Sequence, residues 1–147
     1  MSDTHPTNTP DVFARGGFGL YSTVDDYLRF AQMLLNGGEL DGHRVLADDT
    51  VSLMYRNHLP AALLPFELFG VTYPGRGFGL GSSVVLDVDQ AGGCGSVGEH
   101  GWAGAAKTTF WVDPRQDLTG ILMAQYMLGS ATPEQDLREL VYQAIVT

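Results

Sequence analysis

Cysteine, basic charge and long apolar runs are scarce in this 147-residue chain, and each shortage removes a class of protein. The single cysteine, Cys94, can form neither an internal disulfide nor a multi-cysteine zinc site. Lys and Arg together number 8 against 17 Asp and Glu, a formal charge of -9. So acidic a chain repels phosphate backbones and anionic lipid, which argues against nucleic-acid and membrane partners. No apolar run reaches the roughly 18 residues that span a bilayer. Met1 to Pro10 is polar and lacks the basic-then-apolar order of a secretory signal, which leans toward the cytoplasm. Apolar residues make up 44% and charged residues 17%, the balance of a globular chain rather than a disordered one. The length suits one domain of about 100–200 residues.

Residues 1–15 read as a flexible lead-in and 16–147 as the folded part. Helices are expected over about 23–36, 49–57 and 133–146, and strands over about 78–88, 105–113 and 118–128. The first helix opens on Ser22-Thr23-Val24-Asp25-Asp26, where both Ser22/Asp25 and Thr23/Asp26 resemble a capping box. Val24, Leu28, Ala31 and Leu35 follow at helical spacing, with Tyr27 and Leu34 beside them, and Gly37-Gly38 ends the run. Leu40-Asp41-Gly42-His43 is a turn. From Asn57 to Gly77 the prolines at 60, 65 and 74 break any period and predict an irregular stretch. Leu80, Val84, Leu86 and Val88 predict one strand face, and Asp113 to Asp117 a tight turn. Leu118 to Met127, apolar on both faces, predicts a central strand. Thr132-Pro133-Glu134-Gln135 opens the last helix, with Leu137, Leu140, Val141, Ala144 and Ile145 as its buried stripe. The fold class is therefore α+β, a three-stranded antiparallel sheet with flanking helices.

Most motifs of chemistry fail on context. Gly93-Cys94-Gly95-Ser96-Val97-Gly98 is a literal G-x-G-x-x-G, but strand-forming residues follow it where a dinucleotide site needs a helix N-terminus. The histidines at 5, 43, 58 and 100 have no metal-ligand spacing, so neither a metal nor an organic cofactor is expected. Glu99 and His100 are adjacent and, on a strand, point to opposite faces. Ser96 is one residue short of a nucleophile elbow, and Lys107, the sole lysine, has Gly104 three residues before it. No Ser-x-x-Lys pair exists in the chain, so no serine is activated that way. The run from His100 through Trp102, Ala103 and Gly104 to Ala106 puts small residues at the start of a strand. Such a run marks either close approach by a ligand or a crowded sheet-to-helix contact.

Gly17-Phe18-Gly19-Leu20-Tyr21-Ser22-Thr23-Val24-Asp25-Asp26-Tyr27-Leu28-Arg29-Phe30 resembles the GGxGLxSTxxDYxRF stretch of the serine β-lactamase-like superfamily. Gly101-Trp102-Ala103-Gly104-Ala105-Ala106, with Phe110-Trp111-Val112-Asp113-Pro114, is similar to the family VIII carboxylesterase branch, related to class C β-lactamases and penicillin-binding proteins. The resemblance runs over roughly 16–147 and implies the C-terminal part of a β-lactamase/transpeptidase-like fold.

It also implies roles. Trp102-Ala103-Gly104 falls where the lactamases carry Lys-Thr-Gly, so Trp102, Ala103, Gly104 and the neighbouring His100 are implied to line the substrate cleft. The backbone N–H of Ala105 is implied to be one oxyanion-hole donor, a group that contributes about 3 kcal/mol in acyl transfer. Trp102 replaces a cation, which favours a small-molecule ester or amide over a penicillin carboxylate. The family's Ser-x-x-Lys and Tyr elements lie upstream of these blocks and have no counterpart here, so no nucleophile is expected in this chain. The expectation is the substrate-side half of a serine esterase, inactive alone, that associates with itself or with an N-terminal complementing half. The alternative is a non-enzymatic domain that binds a ligand or partner in the same groove.

Overall fold

The structure is a computed structural model that describes residues 20–127 and 131–145. The expected lead-in over 1–15 lies outside the described residues. Among the described residues the chain opens with helix α1 (Val24–Leu35). Thr23 caps it by accepting the Asp26 N–H, so of the two overlapping boxes the Thr23/Asp26 one forms. A short hairpin, β1 (Glu39–Leu40) and β2 (His43–Arg44), turns through Asp41 and Gly42, both at positive φ, and leads to α2 (Asp48–Met54).

The stretch expected to be irregular holds order of its own. A 3-10 turn (Ala61–Leu63) precedes a hairpin of β3 (Phe66–Leu68) and β4 (Val71–Tyr73), which pairs only with itself. Its strands are three residues each, too short to show an alternating pattern between prolines.

The main sheet has five strands where three were expected: β5 (Arg76–Phe78), β6 (Ser83–Val85), β7 (His100–Ala103), β8 (Thr109–Asp113) and β9 (Leu118–Leu122). They lie in chain order, each antiparallel to the next. The strand expected over 78–88 is two strands joined by a turn at 79–82, which puts Leu80 in the turn and 52% exposed. The strand expected over 105–113 begins at Thr109, and a separate strand, β7, precedes it. β9 is an edge strand among the described residues, although α1 and α3 cover its faces and account for its two-sided apolar pattern.

Helix α3 (Pro133–Gln143) starts at the expected proline, but the Thr132 side chain makes no capping bond. Leu140, expected inside, is 64% exposed, because Arg138 and Tyr142 turn inward instead. On the opposite face of the sheet, Ala31, Met33 and Leu34 of α1 pack on Val112 to form the core, with Leu40, Tyr55, Phe110 and Ile121 around it.

Candidate active site

β7 is the strand that carries most of the residues singled out from sequence. Its pairing with β6 ends at Ser83–Gly101, while its pairing with β8 runs on through Trp102–Phe110 and Ala103–Thr109. The backbone of Trp102 turns toward β8, where Thr109 Oγ1 donates to its carbonyl at 3.3 Å, while the β6-side edge of Ala103 faces no strand and its backbone groups are available to an extended ligand. Gly101 is glycine for a packing reason: a Cβ there would run into the Phe110 carbonyl and Trp111 Cα of β8. At Gly104 a Cβ would meet the Thr108 hydroxyl.

After Ala103 the chain turns through Gly104, Ala105 and Ala106 to Lys107, which sits at φ 64°. Gly104 N–H donates to Thr108 O at 2.7 Å and Lys107 N–H to Gly104 O at 3.1 Å. Ala105 is exposed in this turn, and its N–H makes no hydrogen bond among the described residues.

Trp102 and Ala103 line a cavity of about 510 Å³, together with Tyr73, Arg76, Cys94 and Arg138. His100 does not line it. The imidazole is buried against Tyr55, ring centroids 3.2 Å apart, with Nδ1 3.0 Å from Gly98 O and Nε2 unpartnered. Burial outweighs the Gly98 bond and the Asp113 charge and lowers its pKa to about 4, so the ring is neutral at pH 7. A neutral ring in van der Waals contact with a tyrosine is a packing group in this geometry.

On the face of the sheet away from His100, and bordering the same cavity, lies a polar cluster without any local sequence signal. Glu99, 2% exposed, accepts from Arg138 Nε at 3.0 Å and Nη2 at 2.7 Å. Tyr142 Oη lies 2.7 Å from Glu99 Oε2 and 2.9 Å from the fully buried Asp113 Oδ2, and its one proton serves either carboxylate. Burial first, and then the two carboxylates, hold this phenol far above its ordinary pKa. Arg138 also donates to Cys94 O at 2.7 Å and reaches Cys94 Sγ at 2.9 Å, which ties the glycine-rich loop to α3. Burial pushes the Cys94 thiol up despite that guanidinium, so it is not an activated nucleophile.

Nor is any described serine set up for attack. Ser83 Oγ donates to Gly101 O at 3.2 Å, and Ser82 and Ser96 are buried. Lys107 pairs with Glu134 at 3.2 Å. The glycine-rich loop leads into β7 and not into a helix. Among the described residues no group of three His, Cys, Asp or Glu is placed to hold a metal ion.

The chain with this antiparallel sheet, helices on both faces and a half-open strand carrying Trp-Ala-Gly is of the serine β-lactamase-like superfamily, as its family match shows. The Beta-lactamase family matches residues 1–144, and the chain belongs to that family. Protein Rv1367c of Mycobacterium tuberculosis (strain H37Rv) is 41% identical over 125 residues, which cover 82% of this chain and 31% of that protein. Uncharacterized protein MT1414 of strain CDC 1551 matches to the same extent. The chain thus spans about a third of the length of these relatives. Two solved structures share the fold. EstCE1, described as a hydrolase with promiscuous acyltransferase activity, superposes with a TM-score of 0.64 at 24% identity over 80% of this chain and 29% of its own. Simvastatin synthase (LovD) from Aspergillus terreus, as the LovD6 mutant, gives 0.61 at 22% identity over 80% of this chain and 32% of its own. The relationship is to a family of hydrolases.

Proposed function

We propose that this chain is the substrate-side half of a serine hydrolase of the family VIII carboxylesterase type, cleaving esters by an acyl-enzyme route. The observation that supports this reading most directly is the free edge of β7 at Ala103, next to the Trp102 ring, beside the 510 Å³ cavity. Trp102 and Ala103 supply the wall for the acyl or alcohol group, and Gly104 begins the turn that follows it. The unbonded N–H of Ala105 supplies one oxyanion donor when a substrate carbonyl lies across the turn. The nucleophilic serine, its lysine and the second donor come from residues outside this sequence, in an N-terminal complementing half.

The alternative is a ligand-binding domain without turnover, favoured by one fact: no described serine hydroxyl contacts a histidine or lysine. Two measurements separate the readings. The chain alone, treated with a fluorophosphonate, is expected to show no adduct by intact mass. Mixed with the N-terminal segment of a full-length relative, it is expected to hydrolyse p-nitrophenyl acetate. A stoichiometric adduct on Ser22, Ser82, Ser83 or Ser96 of the isolated chain would overturn the half-enzyme reading. Ligand binding without turnover in the mixture would favour the alternative.

A further inference from the structure

Four aromatic rings converge where the β3–β4 hairpin meets β7. Phe66 and Tyr73, paired across the hairpin, stack with centroids 4.8 Å apart and planes within 5° of parallel. Phe78 stands edge-on to Phe66 at 5.8 Å and edge-on to Trp102 at 4.9 Å. Tyr73 lies 6.3 Å from Trp102, tilted by 31°. Tyr73 and Trp102 both line the 510 Å³ cavity, whereas Phe66 and Phe78 line a second, apolar hollow of about 350 Å³ with Leu59, Leu63 and Leu68.

We infer that the β3–β4 hairpin is a specificity element: Tyr73, backed by Phe66, joins Trp102 in an aromatic wall that selects esters bearing an aromatic ring in the acyl or alcohol group. The inference rests on the reading of β7 as the substrate-lining strand. Aromatic rings prefer offset or edge-on partners at centroid separations of about 4.5–7 Å, because the negative face of one attracts the positive edge of another. Tyr73 already has Phe66 stacked against it and Trp102 has Phe78 edge-on, so both rings are held in place before a ligand arrives. An aliphatic group gains only buried area at such a wall, while a ring gains the quadrupole contact as well.

The hairpin shares no backbone ladder with the five-stranded sheet and touches it through the rings of Phe66 and Tyr73, so a substitution at Tyr73 leaves the ladders of β8 and β9 unaltered. The test is an NMR titration of the ¹⁵N-labelled full chain with ethyl benzoate and with ethyl hexanoate. Ethyl benzoate is expected to bind about fivefold more tightly and to shift the Trp102 indole and the amides of Val71 to Tyr73. Tyr73→Leu keeps an apolar side chain while removing the ring, and is expected to bring the ratio close to one while the resonances of β8 and β9 stay in place. Phe66→Leu, which removes the ring behind Tyr73, is the second variant should Tyr73→Leu disturb the fold. Equal affinities, no saturable shift for either ester, shifts confined to other elements, or an unchanged ratio in the variant would each overturn the inference. Turnover reports separately. A ring preference in binding with no turnover on adding the N-terminal segment keeps the wall and removes the hydrolase reading. Turnover without ring preference does the reverse.

Discussion

Burial of His100 sets how the chain responds to acid. The folded state holds the ring neutral with a pKa of about 4, whereas the unfolded chain protonates it near 6.5. Between those values the unfolded state binds the extra proton, so stability is full above about pH 6.5 and falls as pH drops toward 4. The loss at pH 4 is about 3 kcal/mol. His100→Phe retains a ring against Tyr55 and has no proton to gain. Its urea midpoint is expected to change less than that of the parent between pH 7 and pH 4, and equal slopes for the two proteins would show that His100 does not carry the effect. Glu99 and Arg138 make a second argument at this scale. Their side chains are 2% and 12% exposed, and removing Arg138 leaves Glu99 buried with Arg76, at 3.9 Å, as its remaining cation. Arg138→Met is expected to cost about 3–5 kcal/mol, and the double change with Glu99→Gln less than the sum of the two single changes. Additive losses in a double-mutant cycle would mean that the pair is not coupled.

Elements differ in how openly the sequence announces them, and the reasons are local. α1 is legible because Thr23 and Asp26 cap it, its apolar residues keep helical spacing and Gly37-Gly38 stops it. The β3–β4 hairpin is hidden because three prolines crowd strands of three residues. β5 and β6 merge in the sequence because their turn contains Leu80, which reads as one more strand residue. The candidate site divides the same way. Trp102 to Gly104 are legible as a small-residue run at a strand start, and the Gly101 contact with Phe110 and Trp111 shows crowding by the neighbouring strand and not by a helix. The Glu99–Arg138 pair joins residues 39 positions apart, and no periodicity reports a contact of that kind. The crowding is testable. Gly101→Ala would press a methyl against backbone atoms of β8 that cannot rotate away, so a loss of at least about 2 kcal/mol by urea unfolding is expected. Thr23→Ala, at the α1 cap, is expected to cost about 1 kcal/mol. A neutral Gly101→Ala would mean that β7 and β8 lie further apart than described.

At the scale of the whole molecule, the surface is the unusual feature. Val24, Leu28 and Phe30 of α1 are each more than 40% exposed, and Leu20 and Tyr21 just before it are 97% and 80% exposed. Val24 and Leu28 belong to the helical stripe read from the sequence, yet only the later part of α1 (Ala31, Met33 and Leu34) is buried. Among the described residues β9 lies beside it with one strand partner. An apolar helix face next to an open strand edge is a surface that other chains can cover and extend. The relatives, about three times as long, have chain enough to do so. The isolated chain is therefore expected to associate with itself, its mass by sedimentation equilibrium rising above 15.9 kDa with concentration. Val24→Ser combined with Leu28→Ser removes exposed apolar surface without touching the core, and is expected to shift the equilibrium toward monomer. Adding the N-terminal segment of a relative is expected to replace self-association with a one-to-one complex. A concentration-independent 15.9 kDa mass together with a cooperative melt would instead mean that this surface is tolerated in water, and that it is not an interface.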